Sequence, residues 1–219
     1  MSIRSRRTRQ FLALLCGLVS AARVGAAAST LDDGKLDPAY FGGQAEFREA
    51  EDVDYLWVSP GFALDGKKIA FAPWPEPKFL GADAGDRDLK DKRLAEEMNA
   101  DMPEIWGGAF RRGFGDRITL AEEGADLRVE GRIVDCSAGS NVAKALVGWG
   151  AGAGNTTIDL RFVDTSSGEV VAGLHHRVVS GTSWSTTDSK FVNWVDELVE
   201  TVSKKGFEKL YQKGEKIRK

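Results

Sequence analysis

Two cysteines and two histidines in 219 residues leave this chain short of the groups that most often carry covalent or metal chemistry. Cys16 falls in an amino-terminal segment expected to be removed, so Cys136 would stand alone and no disulfide within the mature chain is possible. A lone thiol in an oxidising compartment is more often buried than reactive, and burial of Cys136 is expected. His175 and His176 are adjacent. Neighbours on a strand point to opposite faces, so the two cannot readily chelate one ion, and structural or surface roles are expected for both. A metal site and a Ser-His-Asp triad are correspondingly poorly supported, and no Gly-x-Ser-x-Gly elbow occurs. No stretch combines the roughly 20 apolar residues of a membrane-spanning helix with freedom from charges and glycines.

The first 28 residues carry the strongest signal. Arg4, Arg6, Arg7 and Arg9 precede an apolar run from Phe11 to Ala22, and Gly25 to Ala28 then offers an Ala-x-Ala cleavage site, the pattern of a secretory leader. Cleavage before Cys16 would leave only Phe11 to Leu15 as the apolar core, and the residue before the cysteine would be Leu15 rather than a small one. Cleavage near Ala28 with a soluble product is therefore expected over a lipid anchor at Cys16. The Arg6-Arg7 pair stands too far from the apolar run for a good twin-arginine match, so the general secretory route is expected. The protein is expected in the periplasm or secreted.

Removing residues 1–28 takes away five arginines and no acids, moving the formal net charge from −3 to −8. An acidic domain with dispersed lysines lacks the clustered basic face that nucleic-acid binding needs, so no nucleic-acid partner is expected. The remaining 191 residues suit one domain. Residues 29–50, with Asp32-Asp33-Gly34 and Gly42-Gly43, lack sustained apolar periodicity and read as a flexible leader segment. Residues 51–211 read as a single α+β domain and residues 212–219 as a basic tail.

Within the domain, Tyr55 to Val58 and Lys67 to Pro73 are short β-type runs. A helix is expected from about Arg87, with Leu89, Leu94, Met98 and Met102 on its inner side and an interruption at Pro103. In Leu127 to Asp135, Leu127, Val129 and Ile133 oppose Arg128, Glu130 and Arg132, which predicts a sheet with one wet side. Ile158, Leu160 and Phe162 oppose Asp159 and Arg161 in the same way. Asp164 to Gly168 suits a hairpin into the run from Glu169 to Val179. A final helix presents Phe191, Val195, Leu198 and Val202, with Trp194 and Leu210 joining them. The expected architecture is a two-layer sandwich: a mainly antiparallel sheet of about five strands with two main helices on one face.

The run Gly148-Trp149-Gly150-Ala151-Gly152-Ala153-Gly154 invites comparison with a phosphate loop. Such a loop opens a helix, and a Walker loop also needs Lys followed by Ser or Thr; here a strand follows, and Asn155 and Thr156 hold those places. No cofactor is expected. The run reads either as a flexible connection whose glycines permit positive backbone dihedrals or close approach of another segment, or, with Ala145-Leu146-Val147 and Trp149, as an apolar loop that touches a partner or membrane surface, which makes Gly148, Trp149, Gly150, Gly152 and Gly154 the candidate interaction segment. Trp57, Trp74 and Trp194 lie on element faces where core packing is expected rather than sugar binding.

The series Ala125 to Ile133, Val147 to Gly152, then Asp164 with Ser167 to Val170 resembles the bacterial exported, lipoprotein-like family named domain of unknown function four-four-one-zero. The resemblance covers about residues 55 to 205 and is most specific from 125 to 173. It implies a periplasmic or envelope-associated domain with no established activity, and supplies no active site to carry over. The favoured reading is a non-enzymatic interaction or assembly domain with envelope proteins as partners. Membrane association and oligomeric state stay open. The alternative is an exported hydrolase that works through paired carboxylates.

Overall fold

A computed structural model describes residues 31–139, 154–179 and 187–212. Among these described residues are seven strands: β1 (Arg48–Ala50), β2 (Val53–Val58), β3 (Lys68–Phe71), β4 (Thr119–Leu120), β5 (Leu127–Ser137), β6 (Asn155–Asp164) and β7 (Val170–Val179). Two long helices join them, α1 (Leu89–Phe114) and α2 (Thr187–Lys205). The strands form one sheet in the order β1-β2-β7-β6-β5-β3-β4.

The α+β class holds, but the expectation of about five mainly antiparallel strands gives way to a seven-stranded mixed sheet. β3 runs parallel to both β4 and β5, while the other pairings are antiparallel. The reason lies in the connection. The chain from β3 to β4 and β5 passes through α1, and such a crossover brings it back in the same direction. β1 and β4, of three and two residues, are too short to display a period of two.

α1 starts with a reciprocal cap: Asp88 accepts from the backbone N–H groups of Lys90 and Asp91, and the Asp91 carboxylate accepts from the Asp88 N–H. The helix does not stop at Pro103. An internal proline costs about 3 kcal/mol, and burial of Met98, Met102, Trp106, Ala109 and Phe110 on either side of it offsets that cost. Asn99, whose carbonyl would have paired with residue 103, donates from its side chain to the Pro75 carbonyl and fastens the helix to the connection after β3. In the β3–α1 connection Trp74 packs on Gly131, where a Cβ would fall 2.2 Å from the indole ring. Only glycine fits there.

Both helices cover the face carrying Leu127, Val129, Ile133, Ile158, Leu160, Phe162 and Leu174, all buried. Phe191, Val195, Leu198 and Val202 of α2 meet them, as their helical spacing predicts. Leu89, by contrast, is 77% exposed instead of facing inward. The β6–β7 turn is held by the Asp164 carboxylate, which accepts from the N–H groups of Ser166 and Ser167, and closes at Gly168 with φ +74°.

The opposite face is not wet. Residues 31–47, expected to be loose, cross it as a strap that buries Leu36 and Phe41 against Tyr55. A 3-10 helix, Pro38–Phe41, is capped by the Asp37 carboxylate accepting from the Ala39 N–H. Phe41 rests on Gly173, whose missing side chain leaves the hollow. With few apolar positions and no helical or strand period, the strap lacks the patterns that mark order in a sequence.

Candidate functional site

Beneath the strap lies a layer of charge built by the sheet register. Arg132 of β5 stands opposite Asp159 of β6, and Glu130 opposite Arg161, so opposite charges meet across neighbouring strands. The Arg132 guanidinium donates to Asp159 from Nε at 2.8 Å and from its terminal nitrogen at 2.7 Å. On the other side of Asp159, His175 of β7 places Nδ1 2.6 Å from the carboxylate. The strap completes the layer from above. Asp32 lies 3.1 Å from His175 Nε2, and Asp37 lies 3.4 Å from the Arg132 guanidinium. The Tyr40 ring covers Arg132 at 3.9 Å and Arg161 at 4.2 Å, and its carbonyl accepts from Arg161.

A second cluster closes the adjoining end. Asp135, buried at the end of β5, accepts from Arg87 at 2.6 and 2.9 Å, and Lys35 of the strap approaches it at 3.9 Å. Lys35 also meets Asp83 at 3.0 Å. These contacts set the ionisation of the layer. Hydrogen bonding from His175 leads the effects that hold Asp32 below the usual carboxylate value, against its burial. Burial disfavours the charged form of His175, yet Asp159 and Asp32 outweigh it and raise the imidazole to about 9. Burial raises Glu130, but the hydrogen bonds from Arg161 and Arg128 prevail and lower it. Tyr40 is pushed upward by burial.

His175 and His176 do point to opposite faces. His176 Nδ1 accepts from the Asp54 N–H at 3.2 Å, and the ring stacks on Trp194 at 4.4 Å. Among the described residues no three His, Cys, Asp or Glu side chains gather as metal ligands. Cys136 is buried beside Thr156 Oγ1 at 3.6 Å, and burial pushes its thiol up to about 11. From sequence, Asp32 falls in the segment expected to be flexible, Asp37 carries no signal, and Arg132 and Asp159 fall on the face expected to be wet. The usable signal was the opposite-charge pairing that an antiparallel β5–β6 register would create.

Of the candidate interaction segment, Gly148, Trp149, Gly150 and Gly152 lie outside the described residues, as do Cys16 and the tail from 213 onward. Gly154 is buried directly before β6. The register fixes where the segment joins the fold. Ser137 pairs with Asn155, and Asn155 with Val179, so β5 ends, β6 begins and β7 ends side by side. The first turn of α1 reaches the same end, where Asp91 accepts from the Ala138 N–H at 2.8 Å. Among the described residues the exposed large hydrophobic side chains are Leu89, at 77%, and Val179, at 48%. Both stand at this end.

Carboxylates converge in two places in the charged layer, Asp32 with Asp159 and Asp83 with Asp135. The first pair is bridged by His175 and the second by Lys35 and Arg87. An open groove of about 950 Å³ between β3 and α1 carries Asp101, Glu104 and Glu122 beside Arg111 and Arg112, of which Arg112 is held by Asp196 at 2.5 Å.

Residues 114–184 match the family model "Domain of unknown function (DUF4410)". The match runs from the last residue of α1 past the end of β7 and contains the stretch 125–173 that carried the resemblance. Among solved structures, the PelC dodecamer from Paraburkholderia phytofirmans (space group P6) is 16% identical, with 68% of this chain and 94% of that chain covered and a TM-score of 0.45. Protein XCC0632 from Xanthomonas campestris, described by the family model DUF330, is 13% identical over 67% of this chain and 88% of its own, with a TM-score of 0.35. No curated protein matches the chain.

Proposed function

We propose that this is an exported, envelope-side protein whose domain binds other envelope proteins and catalyses no reaction, with Gly148, Trp149, Gly150 and Gly152 as its contact segment and the buried Gly154 as the join to β6. The observation that carries the reading is the placement of Leu89 and Val179. These exposed apolar side chains flank the end of the sheet from which the glycine-tryptophan segment departs. Exposed apolar surface of this kind favours contact with a partner, and aromatic residues such as Trp149 are enriched where contact energy concentrates. The arginine-led leader of residues 1–28 supports delivery beyond the cytoplasm, and the net charge of −8 expected after its removal suits a protein partner better than nucleic acid.

The reading is tested by capture from solubilised envelopes with the full-length protein expressed and exported in cells. Trp149→Ala is expected to reduce recovery of the captured envelope proteins at least ten-fold while leaving the circular dichroism spectrum and unfolding midpoint in place. Capture of the same proteins in the same yield would refute the assignment of the segment.

A further inference from the structure

Asp32, in the first turn of the strap, is fastened to the sheet chiefly through one titratable group. His175 and Asp159 are completely buried, and the two ring nitrogens meet two carboxylates, Asp159 at 2.6 Å and Asp32 at 3.1 Å. An ionised carboxylate only accepts hydrogen bonds, and a neutral imidazole carries a single N–H. Both contacts are satisfied together only when both nitrogens are protonated. We propose that the imidazolium of His175 is a latch, clamped between Asp159 of the sheet and Asp32 of the strap, and that loss of its proton frees the first turn of the strap, residues 31–34, while the sheet stays folded.

The surrounding charges decide on which side the latch opens. Asp159 keeps its two bonds from Arg132 whatever the state of His175. Asp32 has little else. Arg177 of β7 lies 3.9 Å away and is itself half-exposed, Lys35 is engaged with Asp83 and Asp135, and Asp37 faces Arg132. Asp54 and Tyr55 of β2 are the remaining neighbours, Tyr55 with its ring 6.0 Å from the imidazole, and Arg161 of β6 is tied to Glu130 and the Tyr40 carbonyl. The strap backbone also favours release. Asp32 and Asp33 sit at φ +45° and +53°, a left-handed conformation that side-chain-bearing residues adopt only at a cost. Release relaxes both residues.

The direction with pH follows from linkage. The folded value of His175, about 9, lies above its ordinary 6.5. Its contribution is therefore complete below about 6.5 and disappears as the pH rises through about 9. Asp32, held low, contributes above its ordinary value of 3.8 and loses its contribution on acidification below it.

The test is hydrogen exchange on the exported, processed protein between pH 7 and 10, corrected for intrinsic rates, followed at the Lys35 amide, which donates to the Asp32 carbonyl. Its protection is expected to fall at least ten-fold across pH 8 to 10, while amides of β5 and β6 keep theirs. Nitrogen NMR at pH 7 should show both His175 ring nitrogens protonated. His175→Gln should abolish the pH step, and if that variant fails to fold, Asp32→Asn should abolish it with the Asp159 contact intact. A neutral His175 at pH 7 would overturn the proposal, as would unchanged Lys35 protection up to pH 10. Joint loss of strap and sheet protection, or a step that survives in Asp32→Asn, would do the same.

Discussion

Gly173→Ala is a sharp steric probe of the strap. A Cβ at position 173 would fall 2.5 Å from Phe41 Cδ1 and 2.8 Å from Cε1, whereas apolar carbons rest at about 3.5–4.0 Å. The ring must retreat by about 1 Å or more. It has little room to do so, because Tyr40 and Phe47 hold its edges at centroid distances of 5.0 and 4.7 Å. Forced overpacking of this kind costs about 1–3 kcal/mol, and complete expulsion of a buried phenylalanine about 3–5 kcal/mol. A loss of about 2 kcal/mol is expected, which in a domain of this size lowers the melting temperature by roughly 4–8 °C. Urea unfolding measures it directly, and a reduced slope would show that the strap has lifted and the native state buries less surface. The decisive arm is a double-mutant cycle. In a Phe41→Ala background the hollow is empty, and the added methyl should cost nothing or stabilise the strand by about 0.5–1 kcal/mol, since glycine is disfavoured there. A coupling of about 2 kcal/mol is expected. Additivity within about 0.5 kcal/mol would refute the placement of the strap on β7.

Arg87→Met should cost about 3–5 kcal/mol in urea unfolding, because it leaves the buried Asp135 carboxylate with only Lys35 at 3.9 Å; adding Asp135→Leu should recover most of that loss, and no recovery would contradict the pairing. Cys136, with its thiol pushed up to about 11 by burial, should resist iodoacetamide at pH 8 in the folded protein and react fully in urea, and rapid labelling of the folded form would place it at the surface instead.

The patterned elements were legible because each carries a period. Leu127, Val129 and Ile133 alternate with charges, and β5 lies where they fall; Phe191, Val195, Leu198 and Val202 recur at helical spacing, and α2 follows. What lacks a period was misread. Residues 31–47 hold Leu31, Leu36, Tyr40, Phe41 and Phe47 as their large apolar side chains, at no regular spacing, yet Phe41 needs a single hollow at Gly173 to be buried. That hollow lies more than a hundred residues away in sequence. The strap in turn explains the misreading of the sheet face. Arg132 and Asp159 alternate with apolar residues as solvent-facing groups do, and nothing in either strand announces that Asp32, Asp37 and Tyr40 cover them. β4 escaped notice because two residues cannot show alternation, and the parallel pairing of β3 with β5 depends on where α1 returns the chain. Pro103 was a true local signal overruled by the packing around Met102 and Trp106.

The glycine-tryptophan end of the sheet is proposed to meet envelope proteins. A photoreactive residue at position 149 tests it in intact cells, compared with one at position 169, which is exposed in the β6–β7 turn at the far end of the sheet. Discrete protein adducts are expected from 149 in the exported fraction and none from 169. Equal adducts from both positions, or none from 149 in correctly exported protein, would contradict it.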